Sequence, residues 1–177
     1  EIYNYRELRQ ELEAKGYVFR TKTDTEVVLA SYKKYGVSCV DRFVGMWAFA
    51  LWNPAERTLF CSRDRFGIKP FHYLEESGRF YFGSEYKALR PSPLFSNRLN
   101  TLQAMRGLQL GWNAYHDESY YEKVKTLPSG CNLIWKEGAV AGSRYWNPST
   151  LQKRSGTFEE HAAEFRSLFL DSIRLHM

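Results

Sequence analysis

Residues 45–73, GMWAFALWNPAERTLFCSRDRFGIKPFHY, constrain the fold more than any other stretch of the chain. Residues 46–52 form an almost unbroken apolar run, too short for a buried helix and suited to a strand covered on both faces. Asn53 and Pro54 open a turn and residues 58–62 return, so the pair predicts a β-hairpin. RDRFGIKP then sets charge, a glycine and a proline ahead of a third strand beginning at Phe71. Arg63 and Asp64 fall at the hairpin's end, and Gly67 is free to adopt a backbone conformation closed to other residues. The expectation is a tightly specified corner in which Arg63 and Asp64 tie down backbone groups rather than carry out catalysis.

Around this centre the pattern predicts a mixed α+β domain. Asn4, with Glu7 three residues on, predicts an N-capped helix ending at Gly16, with Tyr5, Leu8 and Leu12 as its apolar stripe. Residues 17–21 read as a short strand. Thr23 and Glu26 repeat the capping-box spacing and open a helix that stops at Gly36, which puts Asp24 in its first turn, where the helix dipole alone favours a carboxylate. Residues 71–74 and 79–83 predict a second hairpin across Glu76-Ser77-Gly78. A short helix follows over 84–89, a proline-bearing loop over 91–100 and a helix over 101–107, while residues 111–122 carry no clear pattern. Residues 131–135 and 140–146 predict a third hairpin turning at Glu137-Gly138. The predicted organisation is a body over 1–146, a polar linker over 147–157 and, over 158–177, the first helix of a following domain.

Several function classes are excluded by composition. A net charge of +5 spread singly among acidic residues, with no basic block, argues for a solvated surface and against nucleic acid. No apolar run approaches the roughly 18 residues of a membrane span. Cys39, Cys61 and Cys131 form no CxxC pair and fit free buried thiols in a reducing, cytoplasmic setting. The four histidines lack metal-site spacing, so no metal is expected. Nucleophile elbow, Walker loop and HExxH are all absent from the sequence.

Five segments in order carry a resemblance: EIYNY at the start, TDTEVVL at 23–29, GMWAFALW with RDRFGIKP, SEYKAL at 84–89, and LPSG at 127–130. Together they resemble the class II, N-terminal-nucleophile glutamine amidotransferase domain of the asparagine synthetase family. The resemblance implies a sandwich of two antiparallel sheets flanked by helices (αββα). It also implies glutamine hydrolysis by an N-terminal cysteine whose own α-amine is the base, with an Asn-Gly pair as oxyanion hole. The ammonia would pass to a synthetase domain that amidates aspartate through an acyl-adenylate, using ATP and Mg2+. Implied partners are glutamine here, aspartate and ATP in that other domain, and a second copy of the chain in a homodimer. No cofactor is implied for these residues.

Residue by residue, the resemblance makes Glu1 and Asp24 the two carboxylates that hold the α-ammonium of glutamine. Two anions on one desolvated cation make physical sense, because an unpaired buried ammonium is costly. Asn4 also matches a family position, but its expected cap accounts for it. The family's cysteine, substrate-binding arginine and Asn-Gly pair would lie upstream of Glu1, and its SGG-x-DSS pyrophosphate motif beyond Met177. The chain is therefore expected to be a piece without catalytic residues, inactive by itself. Two alternatives stand beside this reading: a non-catalytic interaction domain of the same fold, and the glutaminase of a relative amidating another acid.

Overall fold

Turn chemistry sets most of the strand boundaries. The computed structural model describes residues 1–111 and 116–176, so part of the unpatterned 111–122 segment, and Met177, lie outside the described residues. Two compact units divide the chain, one made of Glu1–Gly45 with Asn147–Met177 and the other of Met46–Trp146.

The Met46–Trp146 unit holds both sheets. Strands β1 (Ala48–Asn53) and β2 (Thr58–Arg63) pair antiparallel, and Asn53 Oδ1 accepts the Ala55 N–H (3.1 Å) to start their turn. Strands β3 (His72–Glu76) and β4 (Arg79–Gly83) turn at Ser77 and Gly78, both at positive φ. A two-residue strand, β5 (Lys125–Thr126), was not foreseen. Strands β6 (Cys131–Lys136) and β7 (Ala139–Arg144) turn at Glu137 and Gly138, again with φ above zero. The result is a four-stranded antiparallel sheet ordered β1-β2-β6-β7 and a three-stranded antiparallel sheet ordered β4-β3-β5.

Cys61 and Leu133 from the larger sheet and Tyr73 from the smaller one share a buried cluster with Phe71 and Leu127. The Phe71, Leu127 and Leu133 side chains each contribute roughly 1.5–3 kcal/mol by leaving water. On the opposite side of β3, Leu74 packs with Leu89 and Val124 in a second cluster. Two-sided burial, expected of residues 46–52, therefore belongs to β3. Strand β1 is an edge strand with Trp52 49% exposed, because among the described residues no further strand pairs beyond it. This unit also carries a short helix, Tyr86–Leu89, and a longer one, Thr101–Leu110, capped by Asn100 accepting the Gln103 N–H (3.1 Å).

The other unit begins with helix α1 (Tyr5–Glu13), whose Leu8 and Leu12 are buried. Asn4 does not cap it: its side-chain amide donates to Arg42 O (3.0 Å) and accepts from Val44 N (2.9 Å) instead. Residues 17–21 form no strand, since their backbone finds no partner strand and Arg20 and Thr21 donate to the Glu26 carboxylate (2.8 and 2.7 Å). Helix α2 (Asp24–Tyr35) starts at the Thr23 cap and ends at Gly36, φ 60°. A 3-10 helix, Gly36–Arg42, follows it and buries Cys39 and Val40. The last helix, Phe158–His176, buries none of its residues, with Phe158 82% and Leu168 63% exposed.

Candidate functional site

Asp24 occupies the first position of α2 because two local devices hold the helix start. Thr23 Oγ1 accepts the Glu26 N–H (3.4 Å), and the Glu26 carboxylate reaches back to the Thr21 hydroxyl (2.6 Å) as well as to the backbone at 20 and 21. The Thr21 hydroxyl first, then those two backbone donors, lower the Glu26 pKa. With the helix start fixed, Asp24 Oδ2 accepts the Ile2 N–H (3.0 Å) and lies 4.0 Å from the Glu1 α-nitrogen. Among the described residues Oδ1 takes no hydrogen bond, and the side chain is 31% exposed. The structure thus brings Asp24 to the backbone of residues 1 and 2, while the Glu1 side chain is 68% exposed.

The segment that meets Asp24 is itself anchored. Ile2 is buried and pairs antiparallel with Gly45, and Tyr3 N donates to Val44 O (2.7 Å). Gly45 has φ 145°, and a Cβ there would lie 2.2 Å from Glu1 O. Only glycine allows that approach.

The Arg63-Asp64 corner in the other unit has a different character. Asp64 is 1% exposed. Its Oδ1 accepts Phe66 N and Ile68 N (both 3.0 Å), and its Oδ2 accepts Lys69 N (3.0 Å) and Trp47 N (3.3 Å). The Arg63 guanidinium donates to the carbonyls of Lys69 (2.7 Å), Gly67 (2.7 Å) and Leu127 (2.8 Å), and burial lowers its pKa. Gly67 sits at φ 66°, a conformation that residues other than glycine rarely adopt, and a Cβ there would crowd Arg63 Cζ and Ser129 Cβ, both at 3.1 Å. Every side-chain polar atom of Arg63 and Asp64 serves the backbone.

Two further groups bear on chemistry. All three cysteines are free and buried, and burial pushes Cys39 and Cys61 up to about 12 and Cys131 in the same direction. At neutral pH they are thiols, whereas the nucleophile is the thiolate. His72, which the sequence did not single out, hydrogen-bonds Thr126 Oγ1 through Nδ1 (3.0 Å) and packs against the Tyr86 ring (centroids 4.3 Å apart, planes tilted by 35°). Burial, and then the Arg63 charge, bring His72 down to about 4. It lines an open pocket of about 440 Å3 with Ser84, Lys87 and Arg90. No spacing rule could have flagged it, because its partner Thr126 is remote in sequence. Among the described residues no group of three or more His, Cys, Asp or Glu gathers as a metal site, and no helix is long and apolar enough to cross a membrane.

Comparison with known proteins gives these arrangements a lineage. A family model described as a glutamine amidotransferase domain matches residues 1–146. Asparagine synthetase [glutamine-hydrolyzing] 1 of Bacillus subtilis (strain 168) is 52% identical over 182 residues, covering 100% of this chain and 28% of that protein. Asparagine synthetase [glutamine-hydrolyzing] 3 of the same organism is 35% identical over 173 residues, covering 98% and 28%. The chain thus spans 28% of the length of these relatives. A solved structure of glutamine phosphoribosylpyrophosphate amidotransferase from B. subtilis, complexed with ADP and GMP, aligns with a TM-score of 0.57 at 20% identity. It covers 82% of this chain and 27% of that one, and shows a shared fold. On the match that spans both the Asp24 segment and the Arg63-Asp64 corner, the chain belongs to the glutamine amidotransferase domain family, as a homologue of the asparagine synthetases.

Proposed function

We propose that residues 1–146 form the glutamine site of an enzyme that releases ammonia from glutamine and uses it to amidate aspartate, with Glu1 and Asp24 holding the α-ammonium of glutamine. The observation that carries this is Asp24: a carboxylate in a helix first turn, brought to the backbone of residues 1 and 2, with Oδ1 uncommitted among the described residues. A primary ammonium presents three donors and needs acceptors of this kind. The nucleophile does not come from Cys39, Cys61 or Cys131, whose burial and protonation disfavour attack. We therefore place the attacking thiol outside these 177 residues, which should not hydrolyse glutamine by themselves.

Joining ammonia to a carboxylate requires that the carboxylate first be activated, and we assign ATP and Mg2+ to that step, outside this chain. The described residues gather no acidic cluster that would hold the metal. Three free thiols support a reducing, cytoplasmic setting.

The test is Asp24→Asn in the full-length protein, assayed with glutamine and with free ammonia as alternative nitrogen sources. Removing one partner of a buried charge pair costs about 2–5 kcal/mol, or from about 30-fold to a few thousand-fold in binding. The glutamine KM should rise by a factor in that range while ammonia-dependent synthesis continues. An unchanged KM, or equal loss with both nitrogen sources, sinks the assignment.

A further inference from the structure

We infer that Asn4, together with Gly45, is a positioning residue for the glutamine site, setting the Glu1 segment against Asp24. The inference rests on the glutamine reading above. It starts from an amide that does not do what its place at a helix start suggests. Asn4 makes no side-chain cap bond to α1; its two amide edges face one neighbouring segment, donating to Arg42 O (3.0 Å) and accepting from Val44 N (2.9 Å). The side chain mimics a peptide unit and extends the backbone pairing that Tyr3 N to Val44 O (2.7 Å) and the Ile2–Gly45 bridge begin.

Three constraints therefore fix residues 1–4. Asn4 holds one end, the absent Cβ of Gly45 admits the Glu1 carbonyl, and Asp24 Oδ2 receives the Ile2 N–H (3.0 Å). If the segment shifted, Asp24 would lose that partner and Glu1 would leave its place beside it. The residue type is specific. Aspartate at position 4 still accepts from Val44 but sets a carboxylate oxygen against the Arg42 carbonyl, and alanine loses both bonds. A purely fold-stabilising Asn4 would lower the melting temperature without favouring one nitrogen source over the other.

The experiment uses the full-length protein with Asn4→Ala and Asn4→Asp. It measures amide hydrogen exchange at Tyr3 and Val44, glutamine KM, and kcat with glutamine and with free ammonia. Exchange at Val44 in Asn4→Ala should quicken roughly two- to tenfold, as for one lost net hydrogen bond. Glutamine KM should rise about tenfold, the equivalent of roughly 1.4 kcal/mol, while ammonia-dependent kcat stays at the parent value, and Asn4→Asp should fall between parent and alanine. Unchanged exchange overturns the inference. So does faster exchange with unchanged glutamine KM, and so does equal loss with both nitrogen sources. In the second of these cases Asp24→Asn separates the two ideas: a raised KM there leaves the glutamine reading standing, and an unchanged KM removes that reading as well. If Asn4→Ala does not fold, Asn4→Asp decides on the same readouts.

Discussion

Asp24 and Asp64 are both aspartates beside a sharp change of chain direction, and the structure uses them in opposite ways. Asp64 is buried, and both of its oxygens are filled by the backbone N–H groups of Trp47, Phe66, Ile68 and Lys69. Asp24 is part-exposed and gives one oxygen to Ile2. A carboxylate whose lone pairs are all taken by its own chain is a piece of architecture. One with capacity left over, beside a fixed backbone, is available to a ligand. Residue type is the same in both cases, and acceptor bookkeeping tells them apart.

The comparison is broken most directly at Asp64. Asp64→Ala leaves one buried backbone donor, Trp47 N–H, and three part-buried ones without their acceptor, at about 1–3 kcal/mol for the buried one and less for each that water can reach. Urea unfolding should show about 2–4 kcal/mol lost, a large part of the 5–15 kcal/mol typical of a domain. A loss below about 1 kcal/mol would mean that water replaces the carboxylate and the corner is not architectural.

Next in size is a pH effect beside that corner. The folded chain keeps His72 neutral down to about 4, whereas an unfolded histidine protonates near pH 6.5. As pH falls below about 6.5 the unfolded chain takes up the proton first, so stability is present above that value and is lost towards pH 4. Partial exposure keeps the slope under roughly 1.4 kcal/mol per pH unit. Stability measured at pH 7 and at pH 5 should converge in His72→Gln. An undiminished slope in that variant would assign the acid sensitivity to other groups.

The smallest effect sharpens the comparison from the other side. Asp24→Asn should change the unfolding free energy by no more than about 1 kcal/mol, the size of a helix-dipole contribution. A loss as large as that of Asp64→Ala would make both residues architectural.

Where neighbours in sequence decide the structure, it was legible in advance. Thr23 with Glu26, Asn53 with Pro54, Ser77-Gly78 and Glu137-Gly138 each state a cap or turn within a few residues, and the helix and hairpins follow at those places. Asn4 misled because its partners Arg42 and Val44 are far along the chain and outcompete the local cap. Residues 17–21 had strand-like composition but no strand to pair with, and a glutamate took their donors. The apolar run at 46–52 promised two-sided burial without revealing that β1 would lie at a sheet edge. At the candidate site, family resemblance pointed to Glu1 and Asp24, while the Gly45 contact and the His72 surroundings depend on folded geometry that no local pattern encodes.

The three buried thiols have a use unrelated to catalysis. Cys39 lies in the unit containing Glu1–Gly45, and Cys61 and Cys131 lie in the Met46–Trp146 unit. A thiol reagent reaches each one only when its surroundings open, so the labelling rate of an individual cysteine counts openings of its own unit. Followed by mass spectrometry, the chain would report from within which half loosens first under heat or denaturant, with no added probe.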